Sequence, residues 1–308
     1  MGMATSRMID GEMGSTVRYR IHDVPVDGGA LRVGEWSPAD PAAPTVIAVH
    51  GITASHMSWA MVAQALPEVR LIAPDLRGRG RSAELPGPFG MARHAADLEA
   101  VINALDVPRA LLVGHSMGGF VAVVTAHLHP DRFSQVLLVD GGLPLAIPTG
   151  ISESDLLATL GPAAQRLSMT FADRQAYLEF WKKHPAFAGC WSQAVIDYAN
   201  YDLTGAEPLL HSSCSIEAMT EDSKELYAGE VAPVALAELR QPITLLTAPR
   251  GLLNQTPGLY AASEIARWRA ELPALTIREV PDVNHYTIVM GAAGAGAVAR
   301  ELRRLGTP

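Results

Sequence analysis

One serine in this chain has neighbours that suit it to nucleophilic chemistry. Ser116 stands in the motif Gly114-His115-Ser116-Met117-Gly118, which directly follows an apolar run of strand type. A helix pattern rich in small residues comes next. A strand, a sharp turn and a helix are the setting in which G-x-S-x-G serves catalysis, because the strained turn holds the hydroxyl clear of the backbone. Gly114 and Gly118 are expected where a Cβ would collide with a neighbouring strand or helix.

The segments around this motif alternate between strand and helix patterns. Strand patterns occur at residues 45–49, 69–73, 110–113, 133–139, 243–247 and 275–280. Residues 45–49 form a continuous apolar run, as is typical of a buried parallel strand. Two β-like segments, residues 16–21 and 30–36, are separated by Asp27-Gly28-Gly29, which predicts a hairpin. Strands that alternate with helices imply a parallel sheet covered on both faces, and the hairpin makes that sheet mixed.

The alternation is interrupted in the middle of the chain. Residues 144–235 carry helical patterns rich in Trp, Tyr, Phe and Met, without a clear strand pattern. The alternation then resumes and ends in a helix pattern at about residues 286–305. We therefore predict a core domain of residues 1–143 and 236–308, with a helical cap inserted as residues 144–235. Within the core domain, residues 1–14 are predicted to be a loose leader.

Composition limits the class of protein. The chain has 308 residues, of which 48% are hydrophobic and 18% charged, as in globular proteins with a large core. A formal net charge of -8 opposes a nucleic-acid-binding surface. No apolar stretch long enough for a spanning helix and no signal-peptide pattern is found, so a cytoplasmic location is expected. Cys190 and Cys214 are expected to be free thiols, with pairing as the alternative. No metal-ligand spacing occurs, and the oligomeric state stays open.

The chain resembles the α/β-hydrolase fold family. The resemblance rests on His50-Gly51, residues 75–82, the serine motif extended to Gly119, and the late His285, and it covers nearly the whole chain outside the leader and the cap. It implies a mostly parallel, eight-stranded α/β sheet flanked by helices, with an inserted helical cap. It also implies a serine hydrolase of esterase type that needs no cofactor or metal. The family orders its catalytic triad as serine, acid, histidine.

The resemblance also assigns the base and the oxyanion hole. It places the general base at His285, in the loop between the last strand and the last helix. A base is required because a serine hydroxyl attacks poorly until its proton is removed. The backbone N–H groups of Met117 and Ile52 are expected to hold the oxyanion. For the second of these donors, Gly51 and Thr53 remain alternatives.

The acid of the triad is harder to assign. Most family members carry it after the strand that corresponds to residues 243–247, but residues 248–255 contain no carboxylate. Some members carry it one strand earlier, where this chain has Asp140. We therefore predict Asp140 as the triad acid, with a simple turn cap as its alternative role. Asn254, Asp282 and Glu264 are weaker candidates.

The aromatic residues of the cap are expected mostly to pack against the sheet domain, and a few of them to line an apolar pocket above the serine. We predict four pocket-wall residues: Trp59, Leu143, Trp181 and Tyr201.

These assignments predict hydrolysis of a carboxylic ester of a small to medium apolar substrate, through an acyl-enzyme. Two alternatives use the same triad: a lactonase and a hydrolase of carbon–carbon bonds. An alternative of another class is a non-catalytic ligand-binding protein on a hydrolase fold, which the missing carboxylate after residues 243–247 would support. The expected partner is a small-molecule ester or lactone and not a nucleic acid.

Overall fold

The computed structural model describes residues 5–8, 17–145 and 162–306. Residues 1–4 and 9–14 of the predicted leader, and residues 146–161 of the predicted cap, lie outside the described residues.

The centre of the described structure is a mixed β-sheet. Its strands and those of a small second sheet are, in chain order, β1 Thr5–Met8, β2 Arg18–Val26, β3 Gly29–Ser37, β4 Thr45–Val49, β5 Arg70–Pro74, β6 Ala110–His115, β7 Phe133–Val139, β8 Leu203–Thr204, β9 His211–Ser212, β10 Ile243–Thr247 and β11 Thr276–Glu279. The large sheet has the order β1-β2-β3-β5-β4-β6-β7-β10-β11. From β5 to β11 all neighbours are parallel, whereas β1, β2 and β3 pair antiparallel. The predicted eight-stranded, mostly parallel sheet is therefore present.

A ninth strand extends that sheet at one edge. Strand β1 lies in the segment predicted to be a loose leader, so that prediction was wrong for these four residues. Its backbone pairs with β2, where Arg7 lies opposite Ile21. The four residues of β1 show no alternation of apolar and polar side chains, so their sequence does not predict a strand. Their pairing depends instead on the free edge of β2.

Helices cover both faces of the sheet. They are α1 Ala60–Ala65, α2 Met91–Ala104, α3 Met117–Leu128, α4 Pro162–Gln165, α5 Arg174–Lys182, α6 Gln193–Asp202, α7 Ile216–Ala228, α8 Val231–Glu238, α9 Ala262–Glu271, α10 Thr287–Met290 and α11 Ala292–Leu305. Alternate residues of the central strands enter two separate apolar clusters, with Ile47 and Leu112 in one and Val46 and Leu111 in the other. Because successive side chains point to opposite faces, a strand buried on both faces must be apolar throughout.

Two features of the second half differ from the sequence prediction. The short antiparallel pair β8–β9 lies in the region where no strand was expected, since two-residue strands are too short to show a period. The predicted last helix is two helices, α10 and α11, separated at Gly291.

The predicted boundary between cap and core falls inside α8, which packs against α3. None of the helices in the described ranges combines the length and apolarity that crossing a membrane requires.

Candidate active site

Ser116 forms the turn between strand β6 and helix α3. Its backbone has φ +55° and ψ −126°, a conformation that a non-glycine residue adopts at a cost of order 1–3 kcal/mol. The neighbouring strand fixes it there, since Ser116 N–H donates to the carbonyl of Val139 at 3.0 Å. The peptide continues into α3 through a bond from Gly119 N–H to Ser116 O at 2.9 Å. The strained turn predicted from the motif is present.

The glycines that flank this turn are required by close backbone approach. A Cβ on Gly118 would lie 2.1 Å from the carbonyl oxygen of Val49, on the adjacent strand β4. A Cβ on Gly114 would lie 2.1 Å from the carbonyl oxygen of Gly118. Because the obstructing atoms belong to the backbone, no side-chain rotation relieves the clash. The predicted collision therefore occurs at both glycines.

We expect Gly118→Ala to destabilise the fold by about 3 kcal/mol, at the upper end of overpacking costs, because β4 and α3 must move apart. Gly296→Ala is the matched control, since Gly296 is also helical and a Cβ there has its nearest neighbour, a flexible arginine, at 3.6 Å. That variant is expected to gain about 0.5–1 kcal/mol from helix propensity. Urea unfolding of both variants measures the difference, and equal stabilities would contradict the close-approach explanation.

Asp140 and His285 form a buried hydrogen-bonded pair at the carboxyl edge of the sheet. His285 Nδ1 lies 2.7 Å from Asp140 Oδ2, and the carboxylate is fully buried. The other carboxylate oxygen, Oδ1, accepts from Ala248 N–H at 3.0 Å. An N–H donated from Nδ1 to a carboxylate leaves the lone pair of the imidazole on Nε2. His285 therefore has the tautomer that a general base requires.

Ser116 and His285 line the same two cavities. One, here called the α10-side cavity, is completed by residues that include Ala54, Tyr198, Tyr286, Val289 and Met290. The other, here called the α3-side cavity, is completed by residues that include Met117, Phe120, Leu145, Leu226, Tyr227 and Leu259. Ile52 and Leu252 belong to both. The cavities meet at Ser116 and His285, whose side chains are not joined by a direct hydrogen bond in this structure.

The two predicted oxyanion donors lie beside Ser116. Met117 is the first residue of α3, so its N–H has no acceptor within the helix. Ile52 shares both cavities with Ser116, and Gly51 passes so close that a Cβ there would lie 3.1 Å from Ser116 Cβ. Thr53 also lines the α10-side cavity. The loop of residues 51–53 is therefore near enough to supply the second donor.

Two further histidines near the site are buried and held neutral. His50 donates from Nδ1 to Gly51 O at 2.8 Å and accepts from Leu76 N–H at Nε2, at 2.9 Å. Burial lowers the pKa of His50 to about 4. His115 donates from Nε2 to the carbonyl of His285 at 2.8 Å, and burial holds its pKa well below the usual value. These rings position backbone groups of the site.

We expect the pKa of His50 to make the fold sensitive to acid. Between the unfolded pKa of about 6.5 and the folded pKa of about 4, the unfolded chain binds a proton here that the folded chain does not. Stability therefore falls as pH falls through this window, by at most about 1.4 kcal/mol per unit for this group. Urea unfolding at pH 7 and pH 5 measures the loss. His50→Asn should reduce it, whereas His127→Asn, on the surface, should leave it unchanged; the same loss in both variants would contradict the assignment.

The weaker acid candidates have other partners. Asn254 Oδ1 accepts from Arg250 Nε at 2.8 Å and from Asn284 Nδ2 at 3.1 Å. Asp282 is a turn residue with φ +60°. Glu264 pairs with the arginine one helical turn later, at 2.7 Å. Among the described residues, the carboxylate in contact with the His285 ring is therefore that of Asp140, which directly follows strand β7.

The four predicted pocket-wall residues are not among those that line the two cavities, and this correction has a common cause. Trp59 is fully buried in the core, and Leu143 is buried with its backbone groups bonded to a tyrosine hydroxyl. Trp181 lies inside an aromatic cluster of the cap region. Tyr201 donates its hydroxyl to Asp75 Oδ2 at 2.6 Å. An apolar or aromatic residue type indicates burial but does not distinguish packing from a pocket wall.

Some of the missed lining residues had a signal in the sequence. Tyr286, Val289 and Met290 follow His285 by one, four and five positions, which is helical spacing. A helix that begins beside the base directs its first turn toward the site. Tyr198 and the α7 residues Leu226 and Tyr227 had no such signal, because they reach the site only through tertiary packing. Within the described residues, no group of three or more His, Cys, Asp or Glu side chains is arranged to hold a metal ion.

Known proteins share this architecture. Residues 44–175 match the family model of the alpha/beta hydrolase fold. The crystal structure of E-2-(acetamidomethylene)succinate hydrolase superimposes with a TM-score of 0.75 and 20% identity, over 94% of this chain and 99% of that one. The chain has the alpha/beta hydrolase fold. The fold that the sequence motifs predicted is therefore present, and Ser116, Asp140 and His285 lie at the carboxyl edge of its sheet.

Curated relatives of this α/β-hydrolase differ in their named chemistry. Lipase LipV of Mycobacterium tuberculosis is 34% identical over 115 residues, which cover 37% of this chain and 43% of the lipase. A putative 2-succinyl-6-hydroxy-2,4-cyclohexadiene-1-carboxylate synthase of Bacillus subtilis is 30% identical over 172 residues, 53% of this chain and 58% of that protein. The alignments thus span about half the length of these relatives. They support a hydrolase-family enzyme.

Proposed function

We propose that this α/β-hydrolase cleaves a carboxylic ester of a small to medium apolar substrate, through an acyl-enzyme. The observation that carries the proposal is the hydrogen bond of 2.7 Å between His285 and the buried Asp140, at the wall of cavities that also contain Ser116. A base oriented by a carboxylate and placed beside a serine on a strained turn is the arrangement that activates a hydroxyl.

The reaction follows from the roles of these groups. Ser116 Oγ attacks the ester carbonyl carbon while His285 Nε2 accepts the hydroxyl proton, and Asp140 stabilises the imidazolium that forms. The N–H groups of Met117 and Ile52 hold the negative oxygen of the tetrahedral intermediate. Collapse breaks the bond to the alcohol oxygen, which takes the proton from His285. Water then attacks the acyl-enzyme by the same steps and releases the acid.

The cavity linings favour apolar groups on both sides of the scissile bond. Ile52 and Leu252 lie at the junction, with Val289 and Met290 in the α10-side cavity and Phe120 in the α3-side cavity. The linings of both cavities are therefore suited to the apolar groups of a small to medium ester. Because the cavities meet at the nucleophile, the acyl and alcohol portions would occupy opposite ones.

A side-by-side substrate panel tests the proposal. An aryl butyrate, a γ-lactone and a meta-cleavage dienoate are compared at equal enzyme concentration, with the highest kcat/KM expected for the aryl ester. An aryl ester of succinate, which adds a carboxylate to the acyl group, should be a poorer substrate than the butyrate. Faster turnover of the lactone or the dienoate would contradict ester hydrolysis and would assign the protein that other activity instead. Failure to turn over any of them, together with no labelling of Ser116 by a fluorophosphonate, would instead support a binding protein.

A further inference from the structure

The loop that carries the proposed second oxyanion donor is held by two buried arginines. Arg79 Nε donates to the carbonyl oxygen of Ile52 at 2.9 Å. Arg166 Nη2 donates to the carbonyl oxygen of Thr53 at 2.6 Å. Both guanidinium groups are fully buried. Burying two cations to bind consecutive carbonyls of one loop is costly unless each charge is paired.

Each of these arginines is paired with a carboxylate on a helix of the predicted cap. Arg79 Nη1 lies 2.6 Å from Asp222 Oδ2, on helix α7. Arg166 Nε lies 3.2 Å from Asp202 Oδ2, at the end of helix α6. Asp222 also accepts from Gly90 N–H at 2.7 Å, which anchors it to the sheet domain. Two cap helices are thus connected to the oxyanion loop through fully buried ion pairs.

A third carbonyl of this loop, that of Gly51, is also held by hydrogen bonds. The carbonyl oxygen of Gly51 accepts from His50 Nδ1 at 2.8 Å and from Ala54 N–H at 3.1 Å. Because a peptide unit is planar, this carbonyl and the N–H of Ile52 point in opposite directions and move together. The three successive carbonyls of residues 51–53 are therefore all fixed by hydrogen bonds. An oxyanion donor acts only when it lies about 2.7–3.1 Å from the developing charge, so small displacements of this loop reduce its effect.

We propose that Arg79 and Arg166 are positioning residues for the oxyanion hole. They fix the carbonyls of Ile52 and Thr53, in the two peptide units that follow the Ile52 N–H, and so connect helices α7 and α6 to the loop that carries this donor. The proposal rests on the ester hydrolysis proposed above. The arginines touch no reacting atom and act through the Gly51–Thr53 backbone. The cap region then contributes to transition-state stabilisation as well as to the cavity walls.

The same loop of the sheet domain supplies a matched control. Arg77 is fully buried and lies 2.9 Å from Asp97, so it forms an ion pair comparable to that of Arg79. Its remaining side-chain donors bind the carbonyls of Asp27 and Pro86, which are outside the oxyanion loop. Arg77→Lys and Arg79→Lys therefore remove similar buried contacts, but only the second changes the support of Ile52.

The test measures kcat, KM and thermal stability for both variants with an aryl butyrate, and the affinity of an aryl trifluoromethyl ketone, which forms a tetrahedral adduct with serine. Arg79→Lys should lower kcat by about 10²-fold, near the effect of losing one oxyanion donor, with little change in KM. The ketone affinity should fall by a similar factor. Arg77→Lys should lower the Tm comparably and leave kcat and the ketone affinity close to wild type.

Several outcomes would overturn the positioning role. Equal losses of kcat in the two folded variants would show a general effect of stability, and a wild-type kcat in Arg79→Lys would remove the role altogether. If Arg79→Lys does not fold, Arg166→Lys is compared with Arg77→Lys under the same criteria. A wild-type enzyme that is silent on esters contradicts the proposed function; the ketone affinities of the variants then still decide the positioning role.

Discussion

Ser116→Ala is expected to lose about 10⁴-fold or more of the wild-type kcat on an aryl butyrate, because no other group at this turn can form the acyl-enzyme. The variant should keep the wild-type Tm and bind a non-covalent substrate analogue, because alanine is smaller than serine and causes no steric clash at this turn. Ser58→Ala is the matched control. Ser58 lines the same α10-side cavity, but its hydroxyl donates to Ser55 O at 2.9 Å.

Covalent labelling separates loss of the nucleophile from loss of folding. A fluorophosphonate should add to wild-type protein and to Ser58→Ala, with the adduct mapped by mass spectrometry to the peptide that contains Ser116. Ser116→Ala should remain unlabelled. Turnover of Ser116→Ala near the wild-type rate, or an adduct on another residue, would show that Ser116 is not the nucleophile.

The features that could be predicted from sequence are those encoded within a few residues. The strands at residues 45–49, 133–139 and 243–247 have the predicted bounds. Each contains consecutive apolar residues, which can be buried only where both faces of a sheet are covered. The turn at Ser116 is similarly local, since its glycines and its strand-to-helix setting are adjacent in the chain. Local patterns thus determined the sheet and the position of the motif.

The features that were missed depend on partners distant in sequence. Tyr201 has the residue type of a pocket wall, yet it bonds to Asp75, which lies 126 residues earlier. Arg79 lies only four residues from Asp75, yet its carboxylate partner is on α7 and the carbonyl of Ile52 accepts from its Nε. No pattern around these residues predicts such contacts, because they follow from how helices α6 and α7 pack against the sheet and its loops.

A second aspartate–histidine pair shows why residue type and distance are insufficient to define a site. His56 Nδ1 lies 2.7 Å from Asp75 Oδ1, the same separation as in the Asp140–His285 pair. Both His56 and Asp75 are fully buried, and His56 Nε2 is bonded to the hydroxyl of Tyr19 at 2.7 Å. Both ring nitrogens of His56 therefore have hydrogen-bond partners within the protein. His285 differs because its ring lines cavities that also contain the nucleophile.

This contrast makes Asp140→Asn a sharp test of the acid. An asparagine can still accept from Ala248 N–H through its oxygen, which leaves its NH₂ group facing His285 Nδ1. Two donors cannot face each other, so the imidazole proton moves to Nε2 and the lone pair is lost from the side that should activate Ser116. A wrong tautomer of this kind costs about 10⁴-fold in kcat, as the same substitution does in serine proteases.

Asp75→Asn is the control for this substitution, since it neutralises an equally buried aspartate with the same bond to a histidine. It should lower the Tm, because Asp75 also accepts from Arg81 N–H at 2.8 Å and from the Tyr201 hydroxyl. It should leave kcat near the wild-type value, since none of these groups orients His285. Near-normal kcat in a folded Asp140→Asn variant would assign the triad acid elsewhere. Only Asp140 fixes the tautomer of His285. Equal losses of kcat in the two variants would therefore show that the effect comes from reduced stability and not from the tautomer.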